Sequence, residues 1–189
     1  VLKLKDKDRI LPRLYEDFVS FVEEISLIEE RYLWRNVTAY VDDANVIELH
    51  ARYCRADAST FKPHCHHRES VVRLTLQNVK QLEPSASPLF VKRLETAPVY
   101  ACLNEKGELV AMSGVGYLTK KSFSISYTET KPEYRGRGIA KCLTSLASEP
   151  LINKGMIGVY AADITNEPSL QVAKDLGFQP YRDLKCFYN

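Results

Sequence analysis

Two stretches of this chain hold residues whose types and spacing could do chemistry: PEYRGRGIAKCL, from Pro132 to Leu143, and TNEPSLQVAKDLGF, from Thr165 to Phe178. In the first, Gly136 and Gly138 stand between arginines, directly ahead of an apolar helical run, in a chain with only eight glycines. A glycine-rich turn at a helix start aims several backbone N–H groups and the positive end of the helix dipole at one point. Without Cβ atoms, a ligand can approach that backbone closely. Such a turn suits a phosphate or pyrophosphate. A merely tight turn with solvated arginines would carry the same letters, so RGRG alone leaves both readings open.

A second cluster, HCHH from His64 to His67, has zinc-type donors, and Cys54 or His50 could complete a tetrahedral set. Neighbouring side chains in an extended chain point opposite ways, so His66 and His67 are poorly placed to chelate together. No metal is expected, and a polar loop is the favoured reading. The five cysteines, Cys54, Cys65, Cys102, Cys142 and Cys186, are odd in number and lack CxxC spacing, which suggests neither a disulfide scaffold nor a four-cysteine metal site. Cys142, on an apolar helix face, reads as a buried thiol rather than a nucleophile.

The elements that position these groups follow from periodicity. Leu11, Leu14, Phe18, Val22, Ile25 and Ile28 recur at three- and four-residue steps, the stripe of an amphipathic helix. A second helical stretch is expected around Ala44 to Cys54, and PSASP, Pro84 to Pro88, is expected to separate this first part from the rest. Trp34 reads as packing between the N-terminal helix and a sheet. After the PSASP loop the period changes. VYACLN (Val99 to Asn104) and LVAMSGVGYL (Leu109 to Leu118) flank EKGE, whose Gly107 suits a hairpin turn. SFSISYTET (Ser122 to Thr130) and IGVYAAD (Ile157 to Asp163) read as further strands, interleaved with helices after Gly138 and Pro168. The expected order is strand, strand, strand, helix, strand, helix, strand.

With 189 residues and 45% hydrophobic content, the chain suits one domain with a single core. A formal charge of +2 is too balanced for a protein whose main partner is a nucleic-acid backbone. The start, VLKLKDKDRILPRL, is too charged for a secretory signal, and no run of about eighteen apolar residues offers a membrane span. The expected setting is the cytoplasm, with no membrane partner and with room for a homodimer.

RGRGIA, Arg135 to Ala140, preceded by KPEY, resembles the Arg/Gln-x-x-Gly-x-Gly/Ala signature of the GNAT superfamily of N-acetyltransferases. Asn166, Ser169, Gly177 and Phe178 resemble that family's second helix motif at the expected spacing. The resemblance covers roughly Val99 to Phe187. It implies an α/β (α+β) domain with a mainly antiparallel central sheet of the GNAT type, flanked by helices and carrying a helical N-terminal extension. It divides the chain into residues 1–95, a helical part covering the sheet and acceptor cleft within the same domain, and residues 96–189, the acetyl-CoA-binding core.

By the same resemblance, Arg135, Gly136, Arg137, Gly138, Ile139, Ala140 and Lys141 wrap the pyrophosphate of acetyl-CoA, and Asn166 and Ser169 lie near its pantetheine arm. The strand Tyr127, Thr128 to Thr130 is expected to splay from Gly158 to Asp163, so that free backbone groups meet the pantetheine amides and polarise the thioester carbonyl. Catalytic groups are less evident. The family's usual base positions, eleven residues before the signature Arg and five before the motif Asn, are Ser124 and Ala161; its usual acid Tyr is Ala173. Ser124 holding a water, Tyr160 as a substitute acid, and His64 or His67 entering the amine cleft are the remaining candidates, and Ala173→Tyr is expected to be tolerated. The implied activity is transfer of acetyl from acetyl-CoA to an amine acceptor; the alternative is a non-catalytic acyl-CoA-binding or sensor module.

Overall fold

The computed structural model describes residues 47–66 and 70–188. Seven strands form one open sheet: β1 (Ile47–Ala56), β2 (Val71–Arg73), β3 (Val99–Leu103), β4 (Leu109–Leu118), β5 (Ser122–Thr130), β6 (Ile157–Asp163) and β7 (Gln179–Tyr188), in the order β2-β3-β4-β5-β6-β1-β7. Only β5 and β6 are parallel; every other neighbouring pair is antiparallel. The helices are α1 (Val79–Leu82), α2 (Pro88–Arg93), α3 (Ile139–Ile152) and α4 (Glu167–Asp175). The mixed fold and the order of elements after Val99 are those expected.

Local chemistry explains the elements. At the β3–β4 hairpin Asn104 N–H donates to Glu108 O (3.0 Å), and Gly107 takes φ +77°, a left-handed turn conformation that costs glycine little. The apolar stripe of α3 buries Cys142, Leu143, Ala147, Leu151 and Ile152. Phe123 and Ile125 of β5 and Val115 of β4 join Ala147, Leu151 and Ile152 in the main core. The opposite face of the sheet is covered by α1 and α2, where Val79, Phe90 and Leu94 pack on Val99 and Ala101. PSASP is not only a separator: Ser87 Oγ accepts from Phe90 N–H (3.1 Å) and Pro88 occupies the first helical turn, so this loop starts α2.

The helix expected around Ala44 to Cys54 is instead a strand from Ile47 to Ala56. Its letters, Ile47, Leu49, Ala51 and Tyr53 alternating with Glu48, His50 and Arg52, have the two-residue period of a strand, and it lies inside the sheet between β6 and β7. Tyr53 packs with Val159 on one side while Cys54 and Ala56 enter the main core on the other. The stripe Leu11 to Ile28 and Trp34 lie outside the described residues.

A crosslink also departs from the expectation of unpaired thiols. Cys65 is disulfide-bonded to Cys142, fixing the loop after β1 against α3, while Cys54 and Cys102 are buried outside any disulfide. Next to the bridge His64 N–H donates to Ser145 Oγ at 2.8 Å, and Lys62 N–H to Leu176 O at 2.9 Å. Odd cysteine number and absent CxxC cannot register a pair 77 positions apart in sequence. Because a crosslink closing a loop of this length restricts the unfolded chain, reduction is expected to lower stability by about 2–4 kcal/mol. Denaturant titration with and without dithiothreitol measures this, and Cys142→Ser should be insensitive to the reductant.

Candidate functional site

The site is built where the parallel pair comes apart. Strands β5 and β6 are in register from Ser122↔Ile157 to Ile125↔Tyr160 and no further. Beyond that point Glu129 and Thr130 stay on β4, paired with Met112 and Ala111, while Ala161 and Asp163 turn to β1, paired with Tyr53 and Ala51. The expected splay of Tyr127 to Thr130 from the end of β6 is therefore present. A β-bulge accompanies it: pairing jumps from Gly114↔Ser126 to Met112↔Glu129, and Tyr127 takes φ +58°, a strained conformation for a residue with a side chain. The Tyr127 ring is held edge-on against Phe90, centroids 4.9 Å apart, in the core beneath α2. Tyr127, predicted from sequence as a site residue, thus turns its ring into the core and is not part of the cleft wall.

Between the parted strands and the starts of α3 and α4 lies a cleft of about 950 Å³. Thr128, Thr130, Arg135, Gly136, Gly138, Ile139, Ala140, Lys141, Tyr160, Asn166 and Ser169, predicted from sequence, all line it. Arg137, also predicted, is not part of the wall; its guanidinium donates to Glu133 O (2.9 Å) and lies 5.1 Å over the Tyr134 ring. Ser124 is 1% exposed, has no hydrogen-bond partner for its hydroxyl and is not in the cleft wall, so no water held by it reaches the cleft.

The turn itself has the geometry of an anion cradle. Gly136 and Gly138 take φ of +75° and +76°, and a Cβ placed on either would meet no atom within 4 Å. The space beside both glycines is open. The first helical hydrogen bond of α3 runs from Cys142 N–H to Gly138 O (3.0 Å), which leaves the amides of Ile139, Ala140 and Lys141 ahead of the ladder. Arg135 Nε donates to Thr130 O (3.0 Å), tying the turn to the end of β5. A pyrophosphate fits these donors and this charge.

Asn166 caps α4, its Oδ1 accepting from Ser169 N–H at 3.2 Å. Ser169 Oγ in turn lies 2.9 Å from the Tyr160 hydroxyl. Burial pushes the Tyr160 phenol above its ordinary value, against which hydrogen bonds to Ser169 and Thr128 work in the opposite direction. Tyr160 therefore keeps its proton through the neutral range.

Sequence reasoning missed the far end of the cleft. Lys141 Nζ forms an ion pair with Asp175 at 3.0 Å, and Gln171 donates to the same carboxylate at 2.6 Å. These hydrogen bonds, Lys141's first, hold the Asp175 carboxyl below its usual range. Asp175 falls two helical turns after Glu167, a spacing that carries no motif. The expectation that Ala173→Tyr is tolerated is corrected: Ala173 is fully buried in the main core, where a phenol ring has no room. Among the described residues no group of three or more His, Cys, Asp or Glu side chains is arranged to hold a metal; Cys65 is bonded to Cys142, and His67 lies outside the described residues. Also among these residues, no helix is long and apolar enough to cross a membrane.

An open, mainly antiparallel sheet parted at one parallel pair, with an anion cradle at the mouth of the gap, defines an α/β protein of the acetyltransferase fold. Residues 99–187 match the family model for the GNAT acetyltransferases. Solved structures agree in fold. A GNAT-family protein from Novosphingobium aromaticivorans is 21% identical with a TM-score of 0.60, over 75% of this chain and 64% of its own. An N-acetyltransferase-like protein from Streptococcus suis is 17% identical with a TM-score of 0.56, over 82% and 66%. A Drosophila protein is 13% identical with a TM-score of 0.60, over 89% and 57%. The chain thus spans less than two thirds of the length of each of these molecules. A search of curated proteins gave no match.

The open space beside Gly138 separates binding from stability. Gly138→Ala should cost about 1 kcal/mol of stability through its positive φ, with no clash, while Gly138→Glu should in addition abolish anion binding. Thermal melts of both variants with and without coenzyme A make the comparison; a ligand shift surviving in Gly138→Glu would remove the cradle assignment.

Proposed function

We propose that this protein is an N-acetyltransferase that moves the acetyl group of acetyl-CoA to a primary amine of a small molecule, peptide or protein by direct attack in a ternary complex. The observation that carries this reading is the pair of left-handed glycines with free space beside them, at the start of α3 and beside the parting of β5 from β6. In this reading Arg135 to Lys141 hold the pyrophosphate, Thr128 to Thr130 and the bulge at Tyr127 present backbone to the pantetheine, and Asn166 and Ser169 border the arm. Acetyl-CoA, when bound, supplies an acetyl thioester whose sulfur leaves as a thiolate. Tyr160 Oη, buried yet on the cleft wall, is the group that carries a proton for that sulfur.

Among the described residues, the positions where the family pattern places a base offer no strong one. Ser124 lies outside the cleft wall, and Ala161 and Ala173 have no acid–base chemistry. Deprotonation of the amine then falls to solvent in the open cleft, while positioning supplies the rate gain, which reaches about 7–11 kcal/mol in well-oriented cases. The same gap favours the second reading, a non-catalytic acyl-CoA-binding module. No metal takes part in either. The proposed setting is the cytoplasm, with the Cys65–Cys142 bridge as the observation against it, since such pairs are kept reduced there.

Thiol release from acetyl-CoA across a panel of amines tests the choice: release with at least one amine is expected, and a ligand-induced melting shift without release from any of them supports the binding module. With an accepted amine, turnover should rise with pH toward the amine's own pKa. No falling limb from Tyr160 enters below about pH 10, because burial raises its pKa above the ordinary phenol value. A plateau near pH 7 would reveal a base elsewhere in the chain.

A further inference from the structure

A carboxylate stands in the wall of the cleft that holds the anion cradle. Asp175 lines it together with Gly138 and Lys141. Asp175 is also the last residue of α4, where the negative end of the helix dipole disfavours an anion. Both placements oppose its charge, yet hydrogen bonds from Lys141 first, then Gln171, hold its carboxyl below the usual range. Lys141 Nζ lies 3.0 Å from Oδ2, and Gln171 Nε2, one turn earlier on α4, donates to Oδ1 at 2.6 Å. Both carboxylate oxygens therefore have partners, and the Lys141 ammonium is drawn from α3 toward α4 across the outer rim.

Charge in the rest of the wall makes this pair matter. Lys131, Arg135 and Lys141 stand against Glu83, Glu129 and Asp175, so the charges of the empty cleft cancel in number. An anionic ligand gains little from such a field and depends on cations that it can take for itself. Lys141 belongs to the cradle through its backbone, as one of the amides ahead of the α3 ladder, while its ammonium is engaged by Asp175. The side chains of the pair are 23% and 36% exposed. An ion pair in that setting is weak, and a phosphate, with more charge and more acceptor oxygens than a carboxylate, can displace it.

We propose that Asp175 is a positioning residue for Lys141 that sets the affinity of the cleft for phosphate-bearing ligands: it clasps the ammonium while the cleft is empty and yields it to a ligand pyrophosphate. The inference rests on the reading of the cradle as a coenzyme A site. Asp175 acts with two opposite signs. It keeps the Lys141 side chain along the rim, which spares a ligand part of the entropy of ordering it. It also competes for the ammonium and repels the charge of the ligand. The first effect concerns one side chain that is already partly buried, whereas the second acts on a ligand with several negative charges. Competition and repulsion therefore win, and binding is weaker with Asp175 than without it. Donor and product carry the same anionic head, so the clasp also hastens release of coenzyme A.

Calorimetric titration of the purified chain with coenzyme A and with dephospho-coenzyme A reads the affinity. Asp175→Asn, at an exposed position and with an anion removed from the end of α4, should fold normally and lower the Kd of both roughly three- to tenfold, since both carry the pyrophosphate. Lys141→Met should raise both Kd values, and in that background Asp175→Asn should gain less than half as much on a logarithmic scale, because the two residues act as a pair. A second readout follows Lys141 itself. Its ammonium NMR signal, identified by its loss in Lys141→Met, should differ between empty wild type and empty Asp175→Asn, and saturating coenzyme A should erase the difference. An Asp175→Asn variant that binds no tighter than wild type, a gain as large without Lys141 as with it, or a Lys141 signal that coenzyme A leaves unmoved would each overturn the clasp. A gain with coenzyme A that is missing with dephospho-coenzyme A would overturn the assignment of Lys141 to the pyrophosphate. A wild type that binds neither ligand would instead remove the cradle reading, and the role of the clasp with it.

Discussion

The parting of β5 from β6 after Ile125 and Tyr160 is the constraint on which the rest of the structure depends. Backbone N–H and C=O groups must find partners, and a strand that leaves its neighbour exposes a row of them. Here each strand keeps one edge paired, β5 on β4 and β6 on β1, so the gap costs only the inner edges. Those inner edges face a cleft open to water or to a ligand with its own amides. The bulge at Tyr127 enlarges the departure, and the Phe90–Tyr127 packing under α2 holds its positive φ in place.

Everything around the gap is fixed by packing on the two faces. Helix α3 is pinned through Leu143, Ala147 and Ile152, all within 2% of full burial, so its first turn is aimed by the core rather than by the loop. The loop needs only to turn sharply and leave space, which two glycines with positive φ do. Helix α4 is shorter and more exposed, and it is positioned by Ala173 and Leu176 in the core and by the Asn166 cap. The Cys65–Cys142 bridge ties the segment after β1 to the first turns of α3, beside the cradle.

Acid–base chemistry in this molecule follows burial more than charge. Tyr160 sits deep in the sheet gap with hydroxyl neighbours and keeps its proton. Asp175, at the outer rim of the cleft, keeps its charge through Lys141 and Gln171. The inner end of the cleft is therefore neutral and the outer end ionic. A ligand with an anionic head and an uncharged reacting end matches that gradient.

The sequence by itself determined the order of elements after Val99 and the glycine-rich turn before α3. Apolar runs either side of the Gly107 turn mark β3 and β4, alternation marks β5, a short apolar run marks β6, and a glycine-rich turn before an apolar helix suits a phosphate because backbone geometry there is local. Most of the cleft wall was legible for the same reason: Arg135, Gly136, Gly138 to Lys141, Asn166 and Ser169 are near one another in sequence or lie at helix starts. The strand at Ile47 to Ala56 is also written in alternation, but the Glu48, His50 and Arg52 between its apolar residues equally suit the exposed face of a helix. What only the tertiary structure decided are contacts between distant segments: Cys65 with Cys142, Thr128 with Ser113, Ser113 with Thr144, Tyr160 with Ser169, and the burial of Ser124 and Ala173. Offsets from a motif give a residue's place along a strand or helix. Whether its side chain meets the cleft or the core depends on which neighbour packs against it, and that is settled by the sum of all the packing.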